Sequence, residues 1–230
     1  VKQGSSLSRI YLVRHGQANF GADDYDQLTA TGVAQCEQLA RHWLAIGRRV
    51  DRVYAGTLCR QRESAEAFVK AMTVGSGVAL PVRTLAGLEE YDHRALLAAL
   101  DGGQPGPEST DRREFHRRLS QALYAWVEGG LAGVEDYAHF RNRCAAALAE
   151  LLAETGRGGH AVVFGSAGSL AAALQPALGM ADRALMRLKL SFYNSGVSCL
   201  LFDGETLTIE SLNAVSHLEQ PAYSHLITHR

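Results

Sequence analysis

Three short segments hold residues whose types and spacing could do chemistry on a phosphoryl group. The first is Arg14-His15-Gly16-Gln17, directly after the apolar run IYLV (10–13). A neutral imidazole at a strand end can act as a nucleophile. A neighbouring Arg offers planar, permanently charged donors to phosphate oxygens. Gly16 would let the backbone turn closely past a ligand. The second is Leu58-Cys59-Arg60-Gln61-Arg62-Glu63-Ser64-Ala65, in the first turns of a helical pattern. Free N–H groups at a helix start attract phosphate, and an Arg there adds a second clamp. The third is Gly87-Leu88-Glu89-Glu90-Tyr91-Asp92, whose carboxyls could pass a proton to a departing alkoxide and later take one from water. Singly, each segment has a plain alternative: a surface His beside an Arg, a solvated helix face paired with Glu63 or Glu66, or two solvated acids.

Chemistry of this kind needs a scaffold that gathers distant segments, and the alternation of patterns supplies one. Strands are expected at 10–13, 50–55 (VDRVYA), 80–85 (LPVRTL) and 160–165 (HAVVFG). Two more, VSCLLF and TLTIESL, flank Asp203-Gly204, a hairpin signal. Helices are expected from Thr31 to a stop at Gly47, with Val33, Cys36, Ala40, Trp43 and Leu44 on one side. Others are expected from Thr57, a candidate N-cap, to about Ala71, over about 111–128 and 136–155, and from Ser169 onward. DGGQPGPEST (101–110) reads as a loop. The expected fold is a single α/β domain over 1–230: a three-layer sandwich whose mostly parallel sheet is flanked by helices, with a helical lid insertion at about 93–140. Ligands of such sheets sit beyond the carboxyl ends of the strands, where His15 and Ser166 both fall.

The order of RHGQ, LTATGVAQ (28–35), YAGTLCRQRESA (54–65) and GLEE (87–90) resembles the histidine phosphatase superfamily, which includes cofactor-dependent phosphoglycerate mutases. EDYAHFRNRCAAAL (135–148), NSGVSCLLFDG (194–204) and NAVSHL (213–218) extend the resemblance over nearly the whole chain. The resemblance implies that His15 is the phospho-accepting nucleophile and that Arg14 and Arg60 form the phosphate pocket. It implies Glu90 as the acid of a Leu-x-Glu pattern, with Glu89 the competing assignment. Gln17 stands where the family has Glu or Gln after RHG. Gly16, Gln17, Asn19, Ser166 and the helix start at Ala167 are the candidate substrate-binding residues.

One departure stands out. The family places a second histidine after the last core strand, and here that segment is Val163-Phe164-Gly165-Ser166-Ala167-Gly168. Ser166 can donate one neutral hydrogen bond but carries no charge. Losing one preorganised donor costs on the order of 10²–10³ in rate. His93 and His217 are the candidate substitutes, with a structural role the competing reading for His217. The other six histidines read as surface or strand-edge residues.

The resemblance therefore implies a metal-independent phosphomonoester hydrolase acting on a small phosphorylated metabolite, with no cofactor. A phosphoglycerate mutase and a catalytically weakened phosphate- or protein-binding member of the same fold are the alternatives. Arg94, Arg112, Arg113, Arg117 and Arg118 in the middle segment could meet a second anionic group or form a solvated face balanced by Asp111 and Glu114. Lys and Arg (23) nearly balance Asp and Glu (24), so nothing points to nucleic acid or an acidic membrane. Cys36, Cys59, Cys144 and Cys199 are widely spaced, which suggests neither zinc nor a redox pair, but reduced, half-buried thiols. The leading VKQGSSLSR has no apolar core of a signal peptide, and no run is long enough to span a bilayer. A cytoplasmic protein is expected, whose remaining apolar surface could support a homodimer.

Overall fold

The computed structural model describes residues 7–19, 26–103 and 112–229. Parts of two expected loops, 20–25 and 104–111 with Asp111, lie outside the described residues. Six strands form one sheet: β1 (Ser8–Arg14), β2 (Arg52–Ala55), β3 (Val82–Thr84), β4 (His160–Gly165), β5 (Val197–Phe202) and β6 (Leu207–Ala214). Their order is β3-β2-β4-β1-β5-β6. The pairs β3–β2, β2–β4 and β4–β1 are parallel, and β1–β5 and β5–β6 are antiparallel.

Both faces of this sheet are covered, which is why its central strands read as unbroken apolar runs. Ile10 and Leu12 of β1 face one core, with Tyr54, Val163 and Leu200; Tyr11 and Val13 face the other, with Val53, Val162 and Phe164. The second core is closed by α1 (Ala30–Ala45) and α2 (Cys59–Ser76), through Cys36, Leu39, Trp43, Phe68 and Met72. Trp43 sits 4.6 Å from Tyr11 and 5.3 Å from Phe68, centroid to centroid. The first core is closed by α5 (Tyr137–Thr155), α6 (Ala167–Leu178) and α7 (Asp182–Leu190). Two further helices, α3 (His93–Leu100) and α4 (Arg112–Val127), pack on each other, and Leu119, Leu123 and Trp126 of α4 join that core.

Several boundaries differ from the sequence reading. Helix α1 is capped by Thr29, whose side chain accepts from the Gly32 N–H, and Gly47 follows it at φ +63°. Val33 is on the exposed side, and Leu39 fills the core face instead. Thr57 does not cap α2; Leu58 takes the N-cap position, and the Gln61 side-chain oxygen accepts from the Leu58 N–H at 3.2 Å. That helix runs on to Ser76, and α6 starts at Ala167, two residues ahead of Ser169. The short helices α3 and α7 had no counterpart in the reading. The Asp203-Gly204 turn forms, with the Asp203 carboxylate accepting from the N–H groups of Glu205 and Thr206. All four cysteines are free; three are buried rather than half-buried.

One close approach positions the site loop. A Cβ on Gly16 would lie 2.4 Å from the Gly32 carbonyl oxygen, and one on Gly32 would lie 2.3 Å from that of Gln17. The glycine in Arg14-His15-Gly16 thus lets the loop settle on α1 rather than on a ligand. Gly32→Ala should destabilise the fold by about 1–3 kcal/mol, the usual range for overpacking. That exceeds the gain of up to about 1 kcal/mol from better helix propensity. Urea unfolding measures the balance, and a net stabilisation would contradict this packing.

Candidate active site

The strand register brings the chemistry together. Arg14 pairs with Gly165, the last residues of parallel neighbours β1 and β4. His15 and Ser166 therefore leave the sheet side by side, and the His15 N–H donates to the Gly165 carbonyl at 2.8 Å. On the other side of β4, β2 ends at Ala55 and feeds the start of α2, where Arg60 is the second residue. Past β3, a 3-10 turn at Ala86–Leu88 delivers Glu90. Four parallel strand ends thus supply one small cavity of about 60 Å³. It is lined by Arg14, His15, Arg60, Glu90, Ser166 and Ala167, together with residues of α3, α4 and α7.

His15 is only 3% exposed. Its Nδ1 lies 2.7 Å from the Gly16 carbonyl oxygen, which can only accept, so Nδ1 carries the proton and Nε2 the lone pair. Arg60 donates its Nε–H to that Nε2 at 3.3 Å. Burial above all, then the charges of Arg60 and Arg14, push His15 well below the ordinary histidine value. The imidazole is neutral at neutral pH, and His15 lines the cavity with its Nε2 accepting from Arg60.

The two guanidiniums are held from behind. Arg60 pairs with Asp26 at 2.7 Å, and the same carboxylate accepts from the Cys59 N–H. Arg14 donates to the carbonyls of Phe192 and His229. Glu90 accepts from the Gly168 N–H at 2.7 Å, at the amino end of α6, where the helix dipole favours an anion. Glu89 is directed elsewhere: it is exposed and borders a different cavity, and its carbonyl accepts from Arg143. Ser166 accepts from the Gln61 side-chain N–H at 2.9 Å, which leaves its own hydroxyl proton for the cavity.

The remaining sequence candidates are placed as follows. Gly16, Gln17 and Asn19 do not line the cavity; Gln17 accepts from the Thr29 hydroxyl and Asn19 is exposed. His93 does line it, and burial pushes it down to about 4. His217 lies behind the site, buried, with Nε2 2.8 Å from the Ser195 hydroxyl oxygen. Arg117 pairs with Glu114, and Arg118 with Asp101. Sequence reasoning missed Lys189, Tyr91, Phe115, Leu119 and Leu190 at the cavity wall. It also missed the polar layer beneath: Asn194 and Ser195 donate to the His15 carbonyl at 3.4 and 3.3 Å, and Gln35 ties Gln17 to Thr228. Gln35, Asn194 and Ser195 fall inside LTATGVAQ and NSGVSCLLFDG, but those segments gave them no role, and only the fold shows Ser195 at φ +54° beside Gly196.

The chain matches the model of the histidine phosphatase superfamily (branch 1) over residues 10–215. It belongs to that superfamily. Solved structures with the same fold include a phosphoserine phosphatase from Entamoeba histolytica with phosphoserine bound, 16% identical with TM-score 0.64, covering 92% of this chain and 99% of that one. A phosphoglycerate mutase from Bacillus anthracis is 19% identical with TM-score 0.65, covering 93% and 96%. A mycobacterial glucosyl-3-phosphoglycerate phosphatase is 20% identical with TM-score 0.65, covering 90% and 99%. At these identities the likeness is one of fold. No curated protein matches the sequence. Among the described residues no helix is long and apolar enough to cross a membrane.

Buried neutral histidines make stability depend on pH. Burial pushes His217 down to about 3. An unfolded His takes up a proton near pH 6.5, so the unfolded state binds more protons below that value. Stability contributed by neutral His217 is present above about pH 6.5 and is lost as pH falls toward the folded value. The slope is roughly 1.4 kcal/mol per pH unit for one such group. His217→Gln should flatten the pH dependence of unfolding free energy between pH 6 and 4.5 by about that amount. An unchanged slope in urea titrations would rule out this role.

Proposed function

We propose that this superfamily member is a phosphomonoester hydrolase acting through a phosphohistidine at His15 on a small phosphorylated metabolite. The observation that carries the reading is the neutral imidazole, with its Nε2 lone pair beside Arg60 in a cavity that Arg14 also lines. The Nε2 lone pair attacks phosphorus in line, and the phosphorus–oxygen bond to the substrate breaks. The guanidiniums of Arg14 and Arg60 hold the equatorial oxygens, whose charge is what such a transition state needs stabilised. Glu90 protonates the leaving alkoxide. It then takes a proton from a water, whose oxygen attacks the phosphohistidine and releases phosphate and free His15.

Ser166 has the place where, by resemblance, the family carries a second imidazole. Its hydroxyl can give one hydrogen bond but no charge, which is also what a weakened binding member would present. Retention of a nucleophile and an acid in the same cavity favours turnover, because binding alone needs neither. A mutase shares the nucleophile but must keep its phosphoenzyme from water; rapid loss of ³²P label to water, rather than to a glycerate, separates the two.

Turnover of p-nitrophenyl phosphate in EDTA is expected for the wild type and should vanish in His15→Ala. Glu90→Gln should lower kcat by roughly 10²-fold, the low end for a lost general acid. Ser166→His should raise the rate by tenfold or more, since one preorganised donor is worth on the order of 10²–10³. Undiminished hydrolysis by His15→Ala would exclude the phosphohistidine.

A further inference from the structure

We propose that Lys189 is a third phosphoryl-binding cation of this site, reaching the transferred group from α7. The inference rests on the phosphatase reading above and adds a catalytic residue that no segment of the motif series contains.

The placement begins with an anomaly in α7. Leu185, Met186 and Lys189 occupy one buried face of that helix, spaced as i, i+1 and i+4, and Lys189 is only 4% exposed. An ammonium in a core-facing position costs desolvation that Leu or Met would not, so its retention calls for a reason. Lys189 lines the same cavity as His15, Arg14, Arg60 and Ser166. Its Nζ donates to the Tyr91 hydroxyl and lies 4.4 Å from the centre of the Tyr91 ring. Tyr91 follows Glu90, and its ring edge lies against Gly168 at the start of α6: a Cβ there would sit 2.6 Å from a Tyr91 ring carbon. The ammonium is therefore anchored through Tyr91 on the wall that carries Glu90 and the start of α6.

Its place among the lining residues decides what it meets. Lys189 borders the same space as His15, Arg14 and Arg60, so a phosphoryl group held on His15 lies among all of them. Glu90 is the one carboxylate among the described residues that line that space, against Arg14, Arg60 and Lys189. Lys189 thus adds a cation of a second kind to a cavity in which Ser166 brings no charge.

Lys189→Met, Lys189→Arg and wild type should be compared by steady-state hydrolysis of p-nitrophenyl phosphate and by inhibition with orthovanadate. Lys189→Met should lower kcat/KM by about 10²-fold and weaken orthovanadate by a similar factor, the scale of one lost transition-state donor. Lys189→Arg should recover most of both. A crystal of the wild type soaked in orthovanadate needs no variant to fold, and it should show Nζ within about 3.2 Å of a vanadate oxygen. Vanadate on His15 with Nζ well out of reach, or unchanged inhibition of Lys189→Met, overturns the proposal while the phosphatase reading stands. A loss confined to substrates bearing a second anion, with orthovanadate unaffected, also overturns it. Absence of both turnover and vanadate at His15 overturns the two together.

Discussion

A neutral imidazole held between two permanent cations is the constraint on which the rest of this structure depends. Burial and the adjacent charges of Arg14 and Arg60 already remove the proton that would block Nε2. What remains is to aim the ring, and the Gly16 carbonyl does so by claiming Nδ1. That carbonyl stays in place because Gly16 and Gly32 bring the loop and α1 closer than any side chain would allow. The His15 carbonyl is fixed in turn by Asn194 and Ser195, which arrive from the far end of the chain. In the proposed reaction the Arg60 N–H must leave the Nε2 lone pair and turn to the phosphoryl oxygens, while the backbone contacts that aim the ring stay in place.

The sheet explains why residues 14, 60, 90 and 166 can meet at all. Parallel neighbours all end at the same edge, so each strand end in the series β3-β2-β4-β1 delivers its following loop to one place. The two central strands end in matched register and deliver His15 and Ser166 side by side. Their flanks bring a helix start with Arg60 and a loop with Glu90. Local helix ends then supply fixed partial charge: the amino end of α6 holds Glu90 through the Gly168 N–H. Glu90 and His15 thus reach the cavity from opposite ends of the parallel set, and neither must cross the sheet.

Much of this was legible in the residues. Apolar runs such as IYLV and HAVVFG mark strands buried on both faces, and the breaks after them mark the site. Arg60 and Glu90 were legible only through their company, since an Arg on a helix and a pair of acids have commoner uses. The choice of Glu90 over Glu89 turns on which carboxyl reaches the α6 amino end, and that is tertiary information. Helix α7 was missed because it is nine residues long and its buried face contains Lys189, which breaks the apolar pattern the reading depends on. Helix α3 is shorter still. Thr57 looked like a cap by residue type, yet Gln61 reaches back to the Leu58 N–H and moves the start of α2 onward. The polar layer of Gln35, Asn194, Ser195 and His217 left no periodic signal, because its members bond to backbone and hydroxyl groups that only the fold brings near.

The wall contributed by α3 and α4 has a different character from the floor. His93 and Phe115 meet edge to face at 6.1 Å, and Leu119 lies beside them at the cavity. Arg117 and Arg118 of the same helix are engaged by Glu114 and Asp101 instead. The cavity is thus cationic where His15 stands and aromatic or apolar where α4 covers it. An apolar cover lowers the local dielectric, which strengthens every charge–phosphate contact beneath it. It offers the rest of a substrate surface to pack on rather than a fixed pattern of donors. Discrimination by such a wall is of shape, worth only about 1–3 kcal/mol per methylene. In the proposed reaction, tight recognition therefore belongs to the phosphoryl group, and tolerance to what the phosphate is attached to.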